Sequence, residues 1–246
     1  MGEALLGGLL HAGWTDLGVV EKLGDRRAEL EARFPSVQVL SDPEVADGAV
    51  VAVKPNDVRA ACNALAGTKR VLSIAAGVPI ATLEDALGAG TAVVRAMPNT
   101  PALVGAGAAA IAAGSRAGED DLAWAESILG AVGEVVRVPE GLLDAVTGLS
   151  GSGPAYVFLV AEALTEAGVL AGLPRDVSAR LTVQTLLGSA KLLAETGETP
   201  EVLRAQVTSP GGTTAAGIGA LESAGVRAAF LDAVRAATNR SRELGS

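Results

Sequence analysis

The sequence predicts a doubly wound α/β half followed by an all-α half, and two changes of rhythm plus one kind of punctuation say so. From Gly18 to Pro139 short β-branched runs alternate with amphipathic stretches, the order that a parallel sheet wrapped by helices requires. After Leu142 those runs stop and only long helical patterns follow. Several of these open on Pro or follow Ser, Thr or Asp, and several close on Gly, which are start and stop signals of helices. The expected domains are residues 1–139 and 140–246.

The chain opens on a helical pattern, Met1 to Leu10. The β-type runs are then Gly18-Glu21, Val37-Val39, Ala49-Val53, Arg70-Ile74, Ala92-Ala96, a weaker Ala108-Ala112, and Glu134-Val138. Between them fall helical patterns at Asp25-Arg33, Asp57-Ala66, Ile80-Leu87 and Glu119-Ala131. The second half reads as helices over Pro154-Ala171, Pro174-Glu195, Pro200-Gln206, Thr214-Ser223 and Val226-Arg242.

Composition narrows the function classes. A formal charge of −9 argues against phosphate backbones and anionic membranes as partners. The apolar stretches, such as Ala155-Ala161, read as too short for a bilayer and soon meet Glu162. No targeting signal opens the chain, and the single cysteine, Cys62, lies in an apolar helical pattern; the expectation is a soluble cytoplasmic protein with a buried thiol. With 49% hydrophobic but 2% aromatic residues, the core must be built from Ala, Val and Leu, and a buried subunit interface is expected. One His and one Cys leave little to bind a metal, and none is expected. The histidine, His11, reads as a solvated residue at a helix end.

Two regions carry candidate chemistry. Val207-Thr208-Ser209-Pro210-Gly211-Gly212-Thr213-Thr214 places a side-chain-poor turn directly ahead of a helix, whose first amides lack intrahelical partners and suit a small carboxylate. An ordinary helix cap would use the same residues. The second region is the carboxyl edge of the sheet, where open α/β folds bind ligands. There Val51-Ala52-Val53 leads into Lys54-Pro55-Asn56, Ser73-Ile74 into Ala75-Ala76-Gly77, and Val93-Val94 into Arg95-Ala96-Met97-Pro98-Asn99. Three compact turns on one edge suggest a nucleotide cleft. Glu21, at the end of a strand, stands where an acid would hold a ribose hydroxyl, while Lys22, Arg26 and Arg27 could instead hold a 2′-phosphate, so NADP and NAD both stay open.

Three segments carry a family resemblance: Val94 to Pro101, Gly148-Leu149-Ser150-Gly151-Ser152-Gly153-Pro154-Ala155-Tyr156-Val157-Phe158, and Val207 to Thr214. Together they resemble pyrroline-5-carboxylate reductase, over nearly the whole chain. The resemblance implies a cytoplasmic oxidoreductase that reduces the C=N bond of 1-pyrroline-5-carboxylate to L-proline with NADPH or NADH. It also implies a Rossmann-type domain followed by a helical domain that interlocks with a partner subunit in a homodimer, in some assemblies a decamer.

By that resemblance Ser209, Gly211, Gly212 and Thr213 hold the substrate carboxylate, and Thr214 hydrogen-bonds the ring nitrogen as the catalytic hydroxyl. Glu140 matches an acid placed near the substrate, or a helix cap. Glu21, Lys22, Ala52, Val53, Lys54, Pro55, Ala75, Ala76, Gly77, Asn99 and Gln206 fall on the dinucleotide. Such enzymes normally begin with a strand and a glycine turn ending near Asn-Met-Gly-Glu-Ala-Leu, whereas this sequence starts at that Met. Gly2 would be the last small residue of the glycine fingerprint. A shortened sequence or misplaced start is the expectation, with weakened cofactor binding and an open sheet edge as its consequences. Two alternatives stand beside the reductase. One is a dimeric homologue impaired in cofactor binding and without activity. The other is a β-hydroxyacid-type dehydrogenase, which would need a lysine in Gly153-Gly168, where there is none.

Overall fold

A computed structural model describes residues 1–44 and 46–245. Its elements run α1 (Gly2–His11), β1 (Gly18–Val20), α2 (Gly24–Arg33), β2 (Gln38–Leu40), β3 (Gly48–Val51), α3 (Val58–Ala64), β4 (Arg70–Ser73), α4 (Ile80–Leu87), β5 (Ala92–Met97), β6 (Gly107–Ala113), α5 (Glu119–Gly130) and β7 (Gly133–Arg137). A helical series follows: α6 (Leu143–Val146), a π-turn at Thr147–Gly151, α7 (Gly153–Leu170), α8 (Arg175–Thr196), α9 (Pro200–Gln206), α10 (Thr213–Ser223) and α11 (Val226–Leu244). Two compact units emerge: Met1–Ser152 with the residues from Ala236 onward, and Gly153–Arg235.

In the first unit β3 to β7 form one sheet in that order, and alternation along its strands sends side chains into two separate cores. Val71 and Val93 are paired in register and face α3, α4 and α6 through Val58, Cys62, Leu83 and Leu143. Leu72 and Val94, one residue on, face α1 and α5 through Leu5, Leu9, Ala125 and Leu129. Both faces are therefore covered, as the continuous apolar runs of these strands require. Cys62 is fully buried in the first core, which pushes its thiol pKa up.

The parallel sheet expected from the sequence carries one antiparallel ladder. β5 and β6 pair antiparallel, Ala96 opposite Ile111, because the connection from Met97 to Gly107 is a short 3₁₀ corner and cannot make a parallel crossover. β6, expected as the weakest run, is the longest strand; its alanines lack β-branching but are buried at Ala109, Ala110 and Ala112. Glu21 and Val53 lie just past their strands. β1 and β2 form a separate parallel pair, so β1 and β3 each keep an edge with no strand beside it among the described residues.

The packing boundary falls after Ser152, later than the expected 139/140. The reason is that Leu143 of α6 is 1% exposed in the first core, and the Ser241 hydroxyl donates to Asp144 at 2.6 Å, tying the end of α11 to the same unit.

In the second unit α7 and α8 form a close antiparallel pair. A side chain at Gly168 would collide with Ser178, which is 2% exposed and whose hydroxyl donates to the Thr165 carbonyl at 2.8 Å. The Arg175 guanidinium closes the turn with two bonds to Glu166, at 2.7 and 3.0 Å. This unit buries no large hydrophobic side chain: its only buried residues are Ser178 and Thr182, while Phe158, Leu159, Leu181, Val183, Leu187 and Leu231 are exposed. By sequence its apolar stretches read as too short for a bilayer. In fact the continuous helical run Glu140–Leu170 is long and apolar enough to cross one by length and composition, and its apolar window is unburied.

Candidate functional site

The first unit brings the expected dinucleotide residues to strand ends. Ala52, Val53, Lys54 and Pro55 form an exposed turn after β3. Ala75, Ala76 and Gly77 follow β4, where the Ala75 amide leans on the Ser73 hydroxyl at 3.4 Å. Gly77 turns at φ +74, a backbone state that an L side chain resists. The last turn of α11 lies against it, with the Leu244 carbonyl within van der Waals reach of a Cβ there.

The first helix points at the same edge. A Cβ on Gly2 would come within 3.2 Å of the Ala52 Cβ, so α1 begins against the turn after β3. The first intrahelical bond there is donated by Leu5 to Met1, which leaves the amides of Gly2, Glu3 and Ala4 without intrahelical acceptors. Small residues at the turns and a positive helix start fit the phosphates of a dinucleotide.

Asn99 sits at the corner after β5 and is 8% exposed. Both halves of its amide are used. Its Nδ2 donates to the Ser150 carbonyl at 3.0 Å, and its Oδ1 accepts from the Ala108 amide at 2.8 Å. The residue thus pins the β5 corner to β6 and to the π-turn. Asn99→Ala is expected to lower stability by about 1–3 kcal/mol, because a buried amide and a carbonyl lose their partners; denaturant unfolding would measure it.

Glu140 holds two donors on one oxygen. Its Oε1 accepts from the Ile80 amide, the first of α4, at 2.7 Å and from Arg95 at 3.0 Å. Sequence reasoning passed over Arg95, although a lone cation inside the apolar run Ala92-Ala96 signals a partner; its side chain is 12% exposed. It also missed that Arg27 donates to the carbonyls of Glu21 and Lys22, both at 2.9 Å, and so shapes the loop after β1. A cleft of about 450 Å³ in this unit lies elsewhere, between α1, Phe34 and the Ala102–Gly105 corner; exposed His11 is on its wall, and none of the expected site residues is.

The second unit carries the Ser209–Thr214 turn. Gly211 has φ +69, which swings the chain into Gly212, the N-cap of α10. The Gly212 amide closes the turn on the Ser209 carbonyl at 3.0 Å, and the first intrahelical bond is donated by Ala216 to Gly212. The amides of Thr213, Thr214 and Ala215 therefore have no intrahelical acceptor, and no side chain caps them. Ser209, Gly211 and Thr213 are exposed and Thr214 is half-buried, so the corner is not sunk in its own unit. Gln206 ends α9, exposed, a few residues upstream. Among the described residues no group of His, Cys, Asp and Glu could hold a metal ion.

A two-faced α/β unit with small residues at its strand ends, followed by helices with an uncapped helix start behind a glycine turn, has the make-up of a dinucleotide-dependent oxidoreductase. Residues 140–244 match the family described as pyrroline-5-carboxylate reductase dimerisation. A pyrroline-5-carboxylate reductase of Synechocystis is 47% identical over 255 positions, which span 100% of this chain and 95% of that protein. The solved pyrroline-5-carboxylate reductase of Coxiella burnetii superposes with a TM-score of 0.94 at 38% identity, over 100% of this chain and 95% of that one. That of Plasmodium falciparum, solved with NADP bound, gives 0.83 at 30% identity over 100% and 95%. The chain belongs to the pyrroline-5-carboxylate reductase family.

Proposed function

We infer that this chain reduces the C=N bond of 1-pyrroline-5-carboxylate with NAD(P)H and yields L-proline. The observation that carries the reading is the Ser209–Thr214 corner, whose three unpaired amides at a helix start are a built receptor for a small carboxylate. The dinucleotide, when bound, supplies the hydride. Gly211 and Gly212 let the backbone approach the substrate carboxylate, and Ser209 and Thr213 add hydroxyl donors. The Thr214 hydroxyl holds the proton at the ring nitrogen, so that the imine stays polarised; no stronger base is demanded of the protein.

The dinucleotide itself is assigned to the strand-end turns 52–55 and 75–77 and to the loop at Glu21 and Lys22, with Asn99 shaping the nicotinamide side and Gln206 contributing an amide. Glu140 acts through Arg95 and α4 as an organiser of this edge. Residues 1–139 are thus the dinucleotide-binding domain and 140–246 the substrate-binding and dimerisation domain. The exposed apolar faces of α7 and α8 are read as a subunit interface, in a homodimer or a larger ring such as a decamer. A bilayer is the poorer reading of the run Glu140–Leu170, since Glu162 and Glu166 interrupt it and its family match is to a dimerisation domain. Nothing in the charge, −9, favours nucleic acid, and a cytoplasmic location accords with the single buried thiol.

The test is a direct assay: nicotinamide absorbance followed on adding 1-pyrroline-5-carboxylate, with proline identified as product. Turnover of a 2-keto acid in its place, with none of the imine, would instead favour the hydroxyacid-type reading. Dimers that turn over neither would favour the inactive homologue.

A further inference from the structure

In the dinucleotide site proposed above, the loop after β1 falls at the adenosine end, and its charges are arranged unequally. Glu21 accepts the Leu23 amide on Oε1 at 2.9 Å, which fixes its carboxylate at the mouth of the loop. The neighbouring strand end supplies a second acid. The Glu21 amide bonds the Leu40 carbonyl, bringing the end of β2 alongside, and Asp42 follows two residues later with its carboxylate held by the Ser41 hydroxyl at 3.0 Å. The Ser41 hydroxyl and the Lys22 ammonium beside it keep Asp42 ionised to lower pH than usual.

The cations that could answer a phosphate are committed elsewhere. Arg27 is spent on two backbone carbonyls of the loop, and Arg26 on Glu3 and Glu29. Lys22 reaches Asp42 at 3.4 Å in a fully solvated pair. Such an exposed pair is weak and would yield to a better partner. What decides is the sign of the fixed charge: two carboxylates stand at the two strand ends, where a 2′-phosphate would bring about −2 more.

We propose that this chain prefers NADH to NADPH, with Glu21 accepting the hydroxyls of the adenosine ribose and Glu21 and Asp42 together repelling a 2′-phosphate. A carboxylate accepts two hydroxyl protons well and a phosphate dianion not at all. The inference rests on the first unit being the NAD(P)H site, and the test separates the two.

Dissociation constants for NADH and NADPH are measured by nicotinamide fluorescence, and those for ADP-ribose and its 2′-phosphate by calorimetry, on the unsubstituted chain and on Glu21→Gln/Asp42→Asn. The expected result is NADH tighter by about tenfold or more, and a ratio that falls by about tenfold in the double variant. Asp42 is exposed, and at half-buried Glu21 the glutamine keeps an oxygen for the Leu23 amide, so the melting temperature should hold. NADPH binding as tightly as NADH, or a ratio unmoved by the double substitution, would overturn the preference while leaving the nucleotide site intact. Binding of none of the four nucleotides would reject the site itself, and the preference with it.

Discussion

A chain carrying Leu159→Glu and Leu187→Glu is expected to lose its self-association and much of its helical stability. The two leucines are 65% and 53% exposed, on α7 and α8 of a unit that buries no large apolar side chain of its own. Helices apolar over most of their surface must be covered by something, and a unit without a core cannot offset its conformational entropy alone. Each leucine contributes about 1.5–3 kcal/mol when fully buried, before the cost of placing a charge in the same site. A homodimer carries each change twice, and only about 0.6 of each leucine remains to be covered, so the loss amounts to roughly 3.5–7 kcal/mol, or on the order of several-hundredfold to hundred-thousandfold in the dissociation constant of a dimer. Sedimentation velocity across a concentration series would read this directly. An assembly unchanged by both glutamates would mean that α7 and α8 meet no second copy at these positions.

The second large effect is expected at the Ser209–Thr214 turn, the proposed carboxylate receptor. In Gly212→Ala the new methyl group would run into the Ser209 hydroxyl, so the turn must open and its amides lose their common aim. Thr214→Val keeps shape and removes the hydroxyl. Losing hydrogen bonds to a charged ligand costs about 1.5–3 kcal/mol, which is about a tenfold to hundredfold loss. For Gly212→Ala this loss should fall on KM for pyrroline-5-carboxylate, and for Thr214→Val on kcat, while the dinucleotide dissociation constant stays put in both. Steady-state kinetics beside a fluorescence titration separates these cases. A Thr214→Val enzyme with unaltered kcat would remove the hydroxyl from the chemistry.

The sequence made most of the architecture legible because its punctuation is strong. Pro200 at the first turn of α9, the Gly212 cap of α10 and the acids at the start of α5 all mark helix starts as observed; Asp121 there accepts the Gly118 amide at 2.9 Å. What periodicity could not carry is pairing. The antiparallel β5–β6 ladder follows from the length of one corner, and the rank of β6 from burial of alanines that no β-propensity flags. The packing units follow contacts that periodicity does not show: Leu143 reads as the first residue of a helical series, yet its side chain lies in the core under β5 and β6.

At the site the residue types were readable and their partners were not. Lys22, Arg26 and Arg27 form one basic cluster in sequence, but tertiary contacts send them to Asp42, to Glu3 and Glu29, and to backbone carbonyls. Asn99 could be marked as a loop residue from its Met97-Pro98-Asn99 setting. That both ends of its amide are occupied by Ser150 and Ala108 is knowledge only the fold supplies.

The contact at Gly168 and Ser178 bears on which chains can assemble together. With no side chain to separate them, α7 and α8 cannot slide or rotate past each other without breaking the Ser178 bond, so they act as one stiff plank. In the proposed subunit interface its outward leucines and valines are then teeth at a fixed pitch. A subunit from a related organism whose plank is cut to another pitch would mesh poorly with it, and mixed particles would be disfavoured even where both chains expose equally greasy surfaces.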